Sequence, residues 1–149
     1  MTTPQDFDRT QDGTLAQDYL ARDPEKAGGV SAVAGLDAVR RNMQTTGYPH
    51  QRIHCVQGAV EDTLPQRAPA QPIALLRLDR DWYQSARHEL THLFAQLADG
   101  GILLLDDYGH WSGARRAVDE YFAALGCSYY LHRVDTTGRL LVKISRLHG

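Results

Sequence analysis

The sequence predicts an α/β domain built on a mixed, mostly parallel sheet, and three observations predict it. Two apolar runs, residues 73–78 and 102–105, have the length and composition of strands that are buried on both faces. Each run is followed by a segment whose apolar positions step by three and four, as in an amphipathic helix. Residues 128–134 and 140–144 alternate around a turn and predict a closing hairpin. Strands that alternate with helices pair in parallel, and the hairpin makes the sheet mixed.

The first 35 residues predict an irregular lead-in, and the domain itself is expected to occupy residues 36–149. Thr, Gln, Asp, Gly and Pro dominate the lead-in, which contains at most one short helical turn. A helix is predicted over residues 36–43 from its apolar spacing, and Gly47 is expected to end it.

The segment between this helix and the central strands predicts one strand and one loop. Residues 52–56 alternate apolar and polar side chains and predict a strand that ends just before Gly58. Residues 65–72, which contain three prolines, predict a loop. Between them, Glu61 and Asp62 either begin a helix with favourable charge placement or contact a ligand.

Two amphipathic helices follow the two central strands. The first is predicted over residues 83–97, and Gly100 and Gly101 are expected to end it. The second is predicted over residues 114–125 and is expected to end at Gly126.

The composition is that of an ordinary globular domain. The 149 residues are 42% hydrophobic and 23% charged with a net charge of −2, which gives no electrostatic reason to expect nucleic acid or an anionic membrane. No apolar run approaches the roughly 20 residues that cross a bilayer. The first residues lack the apolar region of a secretory signal, so the expected location is the cytoplasm. Two cysteines are too few for a disulfide scaffold, and Cys55 is expected to be buried.

Acidic residues follow both central strands. Asp79 comes directly after residues 73–78, and Asp106 and Asp107 come directly after residues 102–105. Ligands of open α/β sheets bind outside the carboxyl ends of the strands, so the three carboxylates converge if the strands are neighbours. Three carboxylates that close repel one another unless a cation lies among them. Oxygen ligands favour Mg²⁺, Mn²⁺ or Ca²⁺ over zinc.

Structural interpretations compete with the functional ones at several positions. An Asp after a strand is usually a helix N-cap or a turn residue, and Asp81 is expected to cap the helix that follows it. His88 and His92 lie four residues apart and could hold a metal, but their polar neighbours favour a solvated surface. Trp111 either contacts a ligand or covers the next helix.

Taken together and in order, these segments resemble the macrocin/mycinamicin family of sugar O-methyltransferases, which act in antibiotic biosynthesis. The similarity runs from about residue 36 to residue 143. It rests on QG at 57–58, EDTLP at 61–65, LLRLDRDWYQS at 75–85, GGI at 100–102, DDY at 106–108 and GARRAVDEY at 113–121. The order and spacing of these pieces are more specific than any one of them.

The resemblance implies a Rossmann-like class I methyltransferase fold that uses S-adenosylmethionine and Mg²⁺ (or Mn²⁺). The metal ligands of the family correspond to Asp79, Asp106 and Asp107, and Asp79 is also the usual candidate for the general base. Gly58 and Ala59 correspond to the strand end that lies against the adenine of the cofactor. The implied acceptor is a hydroxyl of a sugar or of another small natural product.

The sequence departs from the family pattern in ways that predict an incomplete domain. Arg80 stands where the family usually has Gly, and Ala59 and Val60 replace a common aromatic pair. The front of the chain offers no strand with a glycine-rich turn to hold the methionine part of the cofactor, although Phe7 and Asp8 could end a second strand. We therefore expect the first one or two strands to be absent. The sheet edge that this exposes is expected to pair with a second copy or with a chain that supplies those strands. We also expect this chain alone to have little or no activity.

Two other functions stay open at this point. In phosphatases of the haloacid dehalogenase type, Asp79 would be the nucleophile and Asp81 the acid/base, but the 26 residues between Asp79 and Asp106 leave no room for the usual phosphate contacts. A non-catalytic half-domain that serves as an interaction module is the second alternative, and the absent cofactor strand favours it.

Overall fold

Four strands form one sheet in the computed structural model, which describes residues 3–22 and 35–144. They are β1 (Ile73–Leu78), β2 (Leu97–Leu105), β3 (His132–Arg133) and β4 (Arg139–Val142). The strand order is β1-β2-β4-β3. The pair β1 and β2 is parallel, whereas β4 runs antiparallel to both β2 and β3. The predicted mixed sheet with its closing hairpin is confirmed.

The described residues also form five α-helices. They are α1 (Ala16–Arg22), α2 (Leu36–Gln44), α3 (Val60–Arg67), α4 (Tyr83–Leu93) and α5 (Ser112–Ala124). The three predicted helices are confirmed as α2, α4 and α5, and α1 occupies the predicted helical turn of the lead-in. Within the part of the chain that the structure describes, no helix is both long and apolar enough to span a membrane.

One face of the sheet packs against α4 and α5. Alternate residues of the strands point to these helices, because successive side chains of a strand lie on opposite faces. Full burial of a Leu side chain stabilises the fold by roughly 1.5–3 kcal/mol. The main buried residues of this covered face are Leu76, Leu78, Leu103, Leu105 and Leu141 from the strands and Leu90, Phe94, Val118 and Phe122 from the helical side.

The opposite face of the sheet is open. Leu75 is 58% exposed and Val142 is 44% exposed, although both belong to apolar strands. The prediction that β1 is buried on both faces is wrong for the described residues, because their helices α4 and α5 pack on one side only. We call this surface the open face.

The structure corrects three predictions in the front part of the chain. Residues 52–56 do not form a strand: a 3-10 turn occupies His50–Arg52, and the following residues pair with no strand among those described. A strand needs a hydrogen-bonded neighbour, and the alternating pattern alone cannot supply one. Cys55 is consequently exposed rather than buried. Residues 65–67 belong to α3 rather than to a loop.

A further correction concerns Gly100 and Gly101, which do not end α4 but lie inside β2. The helix ends earlier, in a 3-10 turn at Phe94–Gln96. Gly100 has a φ of 76°, and its N–H donates to the carbonyl of Lys143 at 2.7 Å. The register between β1 and β2 is irregular here, and glycine allows the extra residues to bulge.

Residues 3–22 lie across the beginnings of α4 and α5, and we call them the N-terminal segment. Asp8 and Ala16 are fully buried, and the amide of Ser112 donates to the carbonyl of Arg9 at 2.9 Å. A second apolar cluster forms beneath the segment, with Ala16, Trp82, Trp111 and Ala114 at its centre. The lead-in therefore contributes directly to the packing at the edge of the sheet where β1 and β2 end.

Candidate active site

The three predicted carboxylates converge at the carboxyl ends of β1 and β2. Leu78 and Leu105 are paired in the parallel register, so Asp79 and Asp106 leave the sheet side by side. The amide of Asp106 donates to the carbonyl of Leu78 at 3.0 Å, which fixes the two strand ends together. Carboxylate oxygens of Asp79, Asp106 and Asp107 all lie within 4.8 Å of one another. The predicted convergence is confirmed, and we call these three residues the acidic site.

A guanidinium lies against two of these carboxylates. The Nη2 atom of Arg77 is 2.9 Å from Oδ2 of Asp79 and also contacts Oδ2 of Asp106. Arg77 and Asp79 are two residues apart along the strand direction, so their side chains share the open face. The hydrogen bond to Asp106 is the main reason that the pKa of Arg77 is raised. The Arg77 guanidinium thus lies where its positive charge reduces the repulsion among the three carboxylates.

Asp107 and Asp81 form the less exposed side of the site. Burial, followed by the charges of Asp81, Asp79 and Asp106, raises the pKa of Asp107 to about 7. Burial and then the charge of Asp79 raise the pKa of Asp81 to about 6, against a hydrogen bond from Trp111 that lowers it. The site therefore holds more negative charge than its surroundings neutralise, and a hard divalent cation would relieve it.

Asp81 is not the N-cap of α4, contrary to expectation. The amide of Tyr83 donates to Oδ1 of Asp8 at 3.1 Å, and the amide of Gln5 donates to the other oxygen, Oδ2, at 2.7 Å. The cap thus comes from a residue 75 positions earlier in the chain, which leaves Asp81 free to face Trp111. Asp8 is fully buried by these contacts and follows no strand among the described residues, so the expectation that Phe7 and Asp8 end a second strand is wrong.

Gly113 makes this remote cap possible, and its structural role was not predicted from the sequence. A Cβ at position 113 would lie 1.6 Å from Oδ1 of Asp8 and 2.9 Å from the amide nitrogen of Tyr83. Only a glycine leaves room for the Asp8 carboxylate between the beginnings of α4 and α5. The sequence contains no local signal for this contact, because its partners are far apart along the chain.

Gly58 and Ala59, the predicted cofactor residues, lie at the beginning of α3. Gly58 has a φ of 140°, and a Cβ there would approach Cγ2 of Thr63 to 2.8 Å. Glu61, in the first turn of α3, accepts a hydrogen bond from Oγ of Ser85 at 2.8 Å. This contact joins the beginnings of α3 and α4, so both helices start beside the strand end that carries the acidic site. A cofactor role for Gly58 and Ala59 stays a prediction.

Arg80, which departs from the family pattern, has a defined partner. Its Nε donates to Oε1 of Glu89 at 2.7 Å, and the Glu89 side chain is only 7% exposed. This ion pair holds Arg80 along α4, next to the acidic site. Burial raises the pKa of the Glu89 carboxyl, and Arg80 counteracts that shift.

The remaining sequence candidates have structural roles. The rings of His88 and His92 stack with centroids 4.1 Å apart, and Nδ1 of His92 lies 2.9 Å from the carbonyl of His88. They belong to no convergent ligand cluster among the described residues. Trp111 is 1% exposed and packs edge-on against Trp82 at 4.9 Å, so its packing role is confirmed.

Comparison with known proteins places this arrangement in one family. The TylF macrocin-O-methyltransferase family matches residues 9–143. The chain is 36% identical over 110 residues to the 8-demethyl-8-(2,3-dimethoxy-alpha-L-rhamnosyl)-tetracenomycin-C 4'-O-methyltransferase of Streptomyces olivaceus, covering 74% of this chain and 41% of that protein. It is 33% identical over 109 residues to the mycinamicin III 3''-O-methyltransferase of Micromonospora griseorubida, covering 73% and 42% respectively.

A solved structure agrees with the sequence relatives. The O-methyltransferase NovP matches with a TM-score of 0.73 and 29% identity over 95% of this chain and 56% of that one. The chain spans less than half the length of the two curated relatives. Because the family model and the solved structure both match methyltransferases, the family is not that of the haloacid dehalogenase-type phosphatases. The fold is a Rossmann-like methyltransferase fold, and the chain belongs to the TylF macrocin-O-methyltransferase family.

Proposed function

We propose that this chain forms the metal-binding and acceptor-binding part of a cytoplasmic, S-adenosylmethionine-dependent O-methyltransferase. The observation that carries the proposal is the convergence of Asp79, Asp106 and Asp107 in a member of this family. One relative is named for 4'-O-methylation of a rhamnosyl compound. The proposed acceptor is accordingly a hydroxyl of a sugar or of a similar small natural product.

The acidic site fits Mg²⁺ or Mn²⁺. Its donors are all carboxylate oxygens within reach of one ion, which favours hard cations over Zn²⁺. The raised pKa of Asp107 also supports a cation site, because burial and neighbouring carboxylates now oppose ionisation and a bound cation would favour it. Such an ion supplies Lewis-acid activation of a chelated hydroxyl, whose pKa falls.

Asp79 is the proposed general base. Its side chain is 56% exposed at the end of β1, so an acceptor hydroxyl can reach it. Asp79 would take the hydroxyl proton on a carboxylate oxygen, and Asp106 and Asp107 would help to hold the metal ion. S-adenosylmethionine supplies the methyl group, and Gly58 and Ala59 would lie against its adenine. Holding acceptor and donor in line is the larger part of such catalysis.

We further propose that the 149 residues alone transfer methyl groups slowly or not at all. Among the described residues, no strand leads through a glycine-rich turn into a helix that could hold the methionine end of the cofactor. The outer edge of β1 is unpaired within this part of the chain. A second copy, or a chain that supplies further strands, would pair there. A non-catalytic interaction module is the second candidate function, and this same free edge favours it.

The test compares the chain with a fusion that carries the preceding part of NovP. Titration calorimetry with S-adenosylhomocysteine should show tight binding to the fusion and weak or no binding to the 149 residues. The fusion should methylate a sugar acceptor with Mg²⁺ present. Asp79→Asn in the fusion should lower turnover by at least a hundredfold and leave cofactor affinity within about twofold, because Asp79 acts on the acceptor.

Asp119→Asn is the matched control for this test. Asp119 is a half-exposed carboxylate on α5 outside the acidic site, so the variant should retain activity. Tight cofactor binding by the 149 residues would contradict the proposed incompleteness. A fusion that binds cofactor but methylates no sugar hydroxyl, with or without metal, would favour the interaction module.

A further inference from the structure

Arg77 is the cation of the acidic site in this structure. Its Nη2 atom contacts Oδ2 of Asp79 at 2.9 Å and Oδ2 of Asp106 at the same time. These are two of the three carboxylates that the proposed function assigns to the metal. A single guanidinium nitrogen therefore bridges two of the carboxylates that would hold a divalent cation.

The guanidinium and a divalent cation compete for these oxygens. Both groups are positive, so their repulsion at contact distance opposes joint occupancy. Each carboxylate can accept bonds from several directions, but the nitrogen and the ion would compete for the space between Asp79 and Asp106. Binding of the ion thus requires Arg77 to withdraw from that space.

Arg77 is placed so that it can withdraw. Its side chain is 54% exposed and extends over the open face of the sheet, which α4 and α5 do not cover. The two carboxylates, in contrast, follow strand ends that are joined by the Asp106 amide and the Leu78 carbonyl. The flexible partner is the arginine, and the fixed partners are the acids.

We propose that Arg77 is an internal counter-cation that partly neutralises the acidic site in the metal-free protein and is displaced by the divalent ion. Arg77 is therefore a positioning residue that keeps Asp79 and Asp106 together before the metal binds and weakens the affinity for the metal by competition. The proposal rests on the metal site of the proposed function and adds to it a residue that sets the metal affinity.

The test is calorimetric titration of Mn²⁺ into the full 149-residue chain and its Arg77→Gln variant. Exposed ion pairs are individually weak, so removal of the competitor should tighten Mn²⁺ binding by roughly three- to tenfold. Arg77→Lys keeps the charge and should bind within about twofold of the wild type. Arg115→Gln removes the same charge from a site that pairs with Asp119 and lies over the ring of Tyr108, so it should also change affinity less than twofold.

Thermal unfolding supplies a second measurement that needs no metal. Metal-free Arg77→Gln should melt below the wild type, because the carboxylates lose their counter-charge. Saturating Mn²⁺ should then raise its melting temperature by more than it raises that of the wild type. An exposed residue on the open face is not needed for folding, and far-UV circular dichroism checks this for each variant.

The outcomes separate this proposal from the proposed function. Equal or weaker Mn²⁺ binding by Arg77→Gln, with Asp106→Asn clearly impaired, would overturn the role of Arg77 and leave the metal site standing. Equal tightening in Arg115→Gln would also overturn it, because net charge would explain the effect. Absence of Mn²⁺ binding in both the wild type and Arg77→Gln, or unchanged binding in Asp106→Asn, would remove the metal site and the counter-cation role together.

Discussion

The two faces of the sheet carry similar apolar side chains but differ in what lies against them. Leu76 and Leu103 on the covered face are 7% and 0% exposed, whereas Leu75, on the same strand as Leu76, is 58% exposed. Parallel strands are normally covered on both faces. The apolar side chains of β1 are therefore suited to burial on both faces of the sheet, but the described residues cover only one face.

The same alternation divides the acidic site. Asp79 and Asp106 follow the open face, where they are about half exposed and contact Arg77. Asp107 lies on the more buried side with Asp81, and burial is the first cause of its raised pKa. The half with Asp79 and Asp106 is therefore accessible to an acceptor and to Arg77. In the other half, the carboxyls of Asp107 and Asp81 have raised pKa values.

The largest expected effect separates the two faces directly. Leu103→Ala leaves a cavity between the sheet and its helices and should lower the free energy of unfolding by about 2–5 kcal/mol. Leu75→Ala, on the strand that pairs with β2, should cost less than about 0.5 kcal/mol because its side chain is mostly solvated. Urea unfolding measures both. Similar costs that grow with protein concentration would show that a second copy covers the open face in solution.

The next effect tests the N-terminal segment on the covered side. Gly113→Ala places a methyl group against the Asp8 carboxylate and should destabilise the chain by about 1–3 kcal/mol. Gly35→Ala is the matched control, since its φ is −58° and no atom lies within 4 Å of the added carbon, and its effect should stay within about 0.5 kcal/mol.

A double mutant shows whether Asp8 is the cause of that loss. Asp8→Ala removes the carboxylate with which the methyl group collides, at the expense of the α4 cap. In the Gly113→Ala background the second substitution should therefore cost less than it does alone. Strict additivity in chemical denaturation would mean that residues 3–22 do not pack at Gly113 as the structure describes.

Much of the fold follows from local periodicity. The bounds of β1 were predicted to the residue, because a short apolar run before an acid has few alternatives. The convergence of Asp79, Asp106 and Asp107 followed from one further rule, that parallel neighbours end at the same edge of a sheet. These predictions needed only residues close together in the chain or a pairing that sequence order makes natural.

Most of the failures involve a distant partner. Residues 52–56 have a strand pattern but find no neighbour among the described residues, and β2 begins early because Gly100 allows a bulge against Lys143. The cap of α4 comes from Asp8 rather than from the adjacent Asp81. Arg77 interrupts the apolar run of β1 without a local reason, yet it supplies a counter-charge to the site. Local patterns do not encode such contacts, because they depend on which surfaces the fold brings together.

The smallest expected effect is the pH dependence of the metal-free chain. The pKa of Asp107 is about 7 in the folded state, against roughly 3.9 for an unperturbed Asp. Between these values the folded chain keeps a proton that the unfolded chain releases, so the stability that Asp107 contributes is full below about pH 4 and is lost as pH rises toward 7. Asp81, with a pKa of about 6, acts in the same direction. Both groups are partly solvated, so the combined loss should stay below about 1 kcal/mol.

Asp107→Asn should flatten this part of the profile, because the amide cannot ionise, whereas Asp119→Asn on α5 should leave the slope unchanged. Saturating Mn²⁺ should stabilise the wild type more at pH 7.5 than at pH 5, since the ion binds the carboxylates in their ionised form. Melting temperatures across this range, with and without Mn²⁺, measure both effects. A slope between pH 5 and pH 7 that Asp107→Asn leaves unchanged would mean that the pKa of Asp107 is not raised in the folded chain, and the contrast between the two halves of the acidic site would then be wrong.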